Sequence, residues 1–182
     1  MGAFIGLVWT LGALVAVLLL LQRGLDPAWA WALRLGLSLS LVGMLVGVLM
    51  VGNMAHTVGL ADGGPGLPVL GWSTVGGDLR IAHFVGLHGL QVLIVVGWLA
   101  SRHVQGIAAA RRVVLVWIAA LAYLGLIILF TWQALRGQSI IHPDGPTLAA
   151  FAALALGTVL ALVALFVHAR RTTEVQAPAL AR

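Results

Sequence analysis

The groups able to do chemistry in this 182-residue chain are few and unevenly placed. There are six histidines, four methionines and five acidic residues, and there is no cysteine. Without thiols, a metal or haem has to be held by imidazole, thioether or oxygen ligands. His56, His83, His88 and His142 fall in the same parts of the sequence as Asp62, Asp78, Asp144, Arg80 and Arg136. The densest stretch is GGDLRIAHFVGLHGLQ, residues 76–91, where His83 and His88 enter an apolar run. On a helix, a separation of five residues turns the two rings apart by about 140° and sets His88 about 7–8 Å deeper. They therefore predict two sites. A shallow one would combine His56, His83 and His142 with Asp78, a ligand set that suits a divalent metal ion such as zinc or copper. A deeper one would centre on His88, with a second histidine (His83 or His56) or Met50 across the bundle and Gln91 on nearly the same helix face. Two such ligands suit the axial positions of a b-type haem. The alternative for each histidine is a hydrogen bond across helices. Polar groups inside apolar spans are expensive, and this weighs toward function at His88.

The elements that must position these groups follow from composition. Hydrophobic residues make up 62% of the chain and charged residues 8%, against about 25% charged in soluble domains. Lipid is the solvent such a surface fits. A bilayer core needs about 20 apolar residues of helix. Five stretches free of Asp, Glu, Lys and Arg meet that length: 3–21, 35–54, 81–100, 113–133 and 148–167. Open sheet in lipid leaves backbone groups unpaired, so the expected fold is all-α, an integral membrane bundle of five transmembrane helices over residues 1–169. The polar segment 170–182 is expected to be a disordered cytoplasmic tail. The first span lacks a basic leader region, which argues against a cleaved signal. Arg23, Arg34, Arg102, Arg111, Arg112, Arg170, Arg171 and Arg182 fall on one side of the spans, and Arg80 and Arg136 on the other. The positive-inside rule then places the N-terminus outside and the C-terminus inside. The same placement explains the +5 charge by topology and argues against nucleic acid as a partner. His103 and His168 fall at the inner boundary, as interfacial polar residues.

Loops 55–80 and 134–147 come together on the outer side. The first exceeds the length at which a structureless loop is ordinary, and its apolar middle, PGLPVLGW, suggests a lid or a shallow re-entrant segment. Asp78 stands where it can cap the third helix, and Thr147 where it can cap the fifth. Arg80 has three possible partners: Asp78, Asp144 or an anionic headgroup. Thr131, Gln133, Arg136 and Gln138 add donors that suit a quinone headgroup or plain helix-end solvation. Gly36, Gly43 and Gly47 on the second span, and Gly86, Gly89 and Gly97 on the third, allow close helix packing. They are equally compatible with a flat cofactor or a homo-oligomeric interface.

The run from His56 to Gln91, HTVGLADGGPGLPVLGWSTVGGDLRIAHFVGLHGLQ, is similar to one in an uncharacterised family of small bacterial multi-pass membrane proteins. That resemblance covers about a fifth of the chain and implies a bacterial cytoplasmic (inner) membrane location, with no activity attached. GLHGLQVLIVVG also resembles the HGxHV segment of haem–copper oxidase subunit III, but Gln91 stands where that pattern has histidine. The functional expectation is a histidine site near the outer face. Its leading form is electron transfer by a b-type haem or a bound divalent metal, with a quinol as candidate partner. The alternatives are a transporter or channel for a proton, metal ion or small solute, and a non-catalytic accessory subunit of a larger membrane complex.

Overall fold

A computed structural model describes residues 2–102 and 108–176, with side chains from Ala3 to Arg102 and from Ala108 to His168. The order is α1 (Gly2–Leu21), α2 (Pro27–Asn53), β1 (Thr57–Val58), β2 (Gly77–Asp78), α3 (Leu79–Leu87), α4 (Gly89–Arg102), α5 (Ala109–Leu135) and α6 (Gly145–Gln176). The all-α expectation holds, apart from one short antiparallel pair that sets Thr57 against Asp78 and Val58 against Gly77. Among the described residues, four helices are long and apolar enough to cross a membrane: Ala3–Leu21, Pro27–Asn53, Ala109–Leu135 and Gly145–His168. α3 and α4 together make a fifth, bent by 40° at the break between them.

Two boundaries differ most from the sequence reading. α2 starts at Pro27 instead of residue 35, because Asp26 accepts the Ala28 and Trp29 N–H groups and Pro27 suits the first helical position. Arg34, expected outside the span, lies within α2. Its guanidinium bonds the Leu19 and Gln22 carbonyls and so closes the end of α1. α6 runs on to Gln176, into the segment expected to be a tail. No proline or glycine interrupts it there, and extending a formed helix is easier than starting one. Residues 177–182, and with them the rest of that tail, lie outside the described residues, as does His103.

α2 is the hub, packing against α1, α3, α4 and α5, while α6 rests on α5. One stripe of small residues, Ala32, Gly36, Ser40, Gly43 and Gly47, runs along α2 at three- and four-residue spacing. It receives the bent span. Gly43 meets Gly86 backbone to backbone, and a Cβ on Gly43 would fall 2.6 Å from the Leu87 nitrogen. Gly36 lies against Leu90, and Gly97 against Ala32. Such close approach is how helices associate where lipid supplies no hydrophobic drive between them.

The third span was expected to be one helix from 81 to 100. It breaks at His88, between Gly86 and Gly89, and the exposed backbone groups are met by neighbouring side chains. Ser40 of α2 donates to the Leu87 carbonyl at 3.0 Å and accepts from the Leu90 N–H at 3.1 Å. Tyr123 of α5 donates to the Val85 carbonyl at 2.5 Å. The Gln91 amide nitrogen, oriented toward the carbonyls, reaches Leu87 and His88 at 3.2 Å each. A break inside an apolar span is tolerable only when its backbone groups are satisfied in this way.

Gly86→Ala is expected to disrupt the α2–α3 crossing and cost about 1–3 kcal/mol or more, as overpacking does. Ser40→Ala strands two backbone groups and is expected to cost about 1–3 kcal/mol. Gly52, where a Cβ would meet nothing, supplies the control: Gly52→Ala should be neutral or slightly stabilising. Thermal unfolding in one detergent would rank the three, and a Gly86→Ala protein as stable as Gly52→Ala would refute the contact.

Candidate functional site

The loop between α2 and α3 and the turn between α5 and α6 meet at one end of the bundle, and the site is built there around Asp78. β1–β2 pairing brings Asp78 beside Thr57, and the Leu79 N–H donates to the His56 carbonyl at 2.9 Å. Asp78 caps α3 as expected, accepting from the Arg80 N–H at 3.0 Å. Its buried carboxylate also accepts from the Ser73 N–H at 2.9 Å and from the Arg80 guanidinium at 2.6 Å. Arg80 is thereby assigned to Asp78, and its Nη2 also donates to the Gly71 carbonyl at 2.6 Å. Burial pushes the Asp78 carboxyl up. The bonds from Arg80 and Ser73 and the Arg80 charge outweigh that, and the carboxyl sits below its ordinary value.

Beside this knot lies a cleft of about 330 Å3, lined among others by His56, Thr57, Gly64, Ser73 and Arg80. His56 is half-buried. Its Nδ1 lies 3.2 Å from Asp62 Oδ1, 3.2 Å from Thr57 Oγ1 and 4.0 Å from Asp78 Oδ1. Asp62 is itself fixed by the Thr57 and His56 N–H groups, at 2.9 and 3.2 Å. With Nδ1 protonated, its hydrogen has Thr57 Oγ1 as acceptor beside the Asp62 carboxylate, and Nε2 is left as an acceptor. Among the described residues nothing bonds His56 Nε2 or Arg80 Nη1. The cleft thus carries one acceptor and one cationic donor not spent on the fold. A larger hollow of about 460 Å3 between α2 and α5 is an apolar groove of residues such as Leu45, Leu49 and Ile128.

The expected shallow metal set does not assemble. Among the described residues no group of three His, Asp or Glu side chains is arranged to hold a metal ion. His56 and Asp78 are neighbours. His83 turns instead to α2, where its Nδ1 meets the Gly43 carbonyl at 2.8 Å over the space left by Gly47. His142 is exposed on the α5–α6 turn. That turn is a separate cluster. Arg136 pairs with Asp144, stacks over Trp132 at 4.6 Å and donates to Thr147 Oγ1 at 3.0 Å. The cap of α6 is Asp144, which accepts the Thr147 N–H, and Thr147 instead donates to Gln138 at 2.7 Å. Gln133 is spent on the Ser139 carbonyl, and Thr131 on Ile127 within its own helix. Of the four donors proposed for a quinone headgroup at this turn, Thr131, Gln133 and Arg136 are therefore engaged within the fold, while Gln138 accepts from Thr147.

The deeper set is also rearranged. Met50 lies beside Gly47 and His83, while the backbone around His88 faces Gly36, Leu39 and Ser40. The Gly43–Gly86 contact fixes this register, and it puts His88 about three to four turns along α2 from Met50, its expected partner. His88 points out of the bundle and is exposed, its ring edge-on to Phe84 at 4.4 Å. Gln91 serves the broken backbone instead of a cofactor.

No family model, curated protein or solved structure matches this chain. The reading of the site therefore rests on geometry. Sequence spacing did not identify Asp62 as the partner of His56, because the pairing depends on a loop that returns. The Ser40 role had a legible sign in the small-residue stripe it interrupts.

The lowered Asp78 carboxyl fixes the sign of a pH effect. Its stabilisation is complete above the unfolded value of 3.8 and is lost as pH falls below it through the lower folded value. Asp62 and Asp144 shift in the same direction. Hydrogen exchange at the Ser73 and Arg80 amides should therefore stay slow near neutral pH and accelerate from about pH 4 downward. Asp78→Asn should cost about 3 kcal/mol by leaving Arg80 uncompensated and should abolish that acid transition. An unchanged acid profile in the variant would refute the assignment.

Proposed function

We propose that this chain is a multi-pass protein of the bacterial cytoplasmic membrane, with its N-terminus and both site loops outside. In this reading the His56–Arg80 cleft binds a small polar headgroup, and His56 exchanges a proton with it. The arginine distribution supports the orientation, and the long apolar helices support a membrane location. The observation that carries the binding reading is the pair of unspent groups, His56 Nε2 and Arg80 Nη1, in one cleft whose other polar side chains, Thr57 and Ser73, are bonded within the fold. A hydroxylated ring such as a quinol suits them. Its hydroxyl donates to His56, and a second oxygen accepts from Arg80. The 330 Å3 volume is at the small end for ligand sites, which fits a headgroup and not a large cofactor. Asp62, 3.2 Å from Nδ1, helps to orient the ring.

Titration of detergent-purified protein with a short-chain quinol tests this. His56→Gln should weaken binding about tenfold or more, the loss expected for one strong hydrogen bond. Equal affinity in the variant, or no binding by the parent protein, would overturn the reading.

The outward His88 favours a second reading, electron transfer by a b-type haem or a divalent metal. His83 is committed to Gly43 and Met50 lies beside it, so neither stands across from His88 as its second ligand. The second ligand would come from another copy or from a partner in a larger membrane complex. This reading expects a Soret band or stoichiometric metal in purified oligomer, both lost in His88→Ala. An absorption spectrum with elemental analysis decides it, and a colourless, metal-free oligomer would sink it.

A further inference from the structure

We infer that the tip of the α2–α3 loop, Leu67–Leu70, is an anchor that inserts into the outer leaflet beside α3. The loop closes as a hairpin. Gly66 and Ser73 bridge, the Leu67 N–H donates to the Trp72 carbonyl, and the Gly71 N–H donates to the Leu67 carbonyl, both at 2.8 Å. From Gly63 to Trp72 it carries no charged residue. Its tip exposes Pro68, Val69 and Leu70, and the Val69 side chain is fully exposed. Val69 also holds φ at +69°, a conformation that β-branched residues rarely adopt. A strained backbone that presents bare apolar side chains is hard to account for if the tip faces water.

The hairpin is held against the flank of the span. Arg80 Nη2 ties the Gly71 carbonyl to the first turn of α3. Trp72 packs edge-on against Phe84, 5.6 Å between ring centroids. Phe84 lies more than a turn into α3 and is exposed, as are Leu87 and His88 beyond it. The apolar tip is therefore continuous with the surface that α3 presents to lipid. The aromatic residue at the junction is the type that collects at membrane interfaces. The occupant that covers such a surface is the bilayer itself. This inference does not depend on what the cleft binds.

The chain has no cysteine, so single labels are unambiguous. Val69→Cys and, separately, Val95→Cys on the exposed side of α4 would carry an environment-sensitive fluorophore in phosphatidylcholine–phosphatidylglycerol vesicles. The label at 69 is expected to shift to shorter wavelength, to be quenched by lipid spin-labelled near the headgroup, and to resist iodide. Leu70→Cys should behave alike and guards against a folding defect at 69. Iodide access at 69 and 70 with lipid quenching at 95 would overturn the anchor and leave the spans standing. Iodide access at all three would overturn the spans as well.

Discussion

A carboxylate withdrawn from water at the mouth of an apolar bundle must be met by donors and charge, and that demand on Asp78 organises the loop face. The Ser73 and Arg80 N–H groups and the Arg80 guanidinium answer it. Each answer fixes something else. Ser73 brings back the far strand of the long loop. Arg80 holds Gly71 and, through it, the hairpin tip. The β1–β2 pair then places His56 within 4.0 Å of the same carboxylate. The cleft is what remains between these ties. Replacing a buried ion pair by apolar residues is often neutral or stabilising in isolation, so the reason to keep this one is the geometry it imposes on its neighbours.

Below the loop face, a different constraint operates. Lipid gives helices no reason to associate through apolar area alone, and this bundle relies on close backbone approach along the small-residue stripe of α2. The contact between Gly43 and Gly86 sets the register of everything deeper. It leaves His83 to bond a carbonyl across the interface, and it brings Ser40 level with the break in the third span. The histidines that look alike in sequence thus have unlike roles. His56 serves the cleft, His83 joins two helices, and His88 faces outward.

Much of this architecture is legible in the sequence because it follows from solvent. Long apolar runs, their flanking arginines and the glycines at helical spacing gave the spans, and Asp78 stood plainly at a helix start. Angular spacing correctly separated His83 from His88. What spacing could not supply was register. The depth of His88 relative to Met50 depends on which glycines touch, and glycines are too numerous here for sequence to choose a pair. The break at His88 escaped for a related reason. Two flanking glycines permit it, but only Ser40, Tyr123 and Gln91, two of them from other helices, make it tolerable. The partnership of His56 with Asp62, and of Asp144 with the start of α6, likewise depends on how irregular backbone returns on itself.

The break in the third span has a mechanical consequence. Its upper half, Leu79–Leu87, is bound to the loop face through Asp78 and Arg80. Its lower half, Gly89–Arg102, is bound to α2 through Gly36 and Ala32. The halves are joined by one residue and by a few uncharged hydrogen bonds. The upper half is also seated on α2, through the Gly43–Gly86 contact and the His83 bond to the Gly43 carbonyl, so the bend is held from both sides and a shift of the loop face meets that helix before it reaches the lower half.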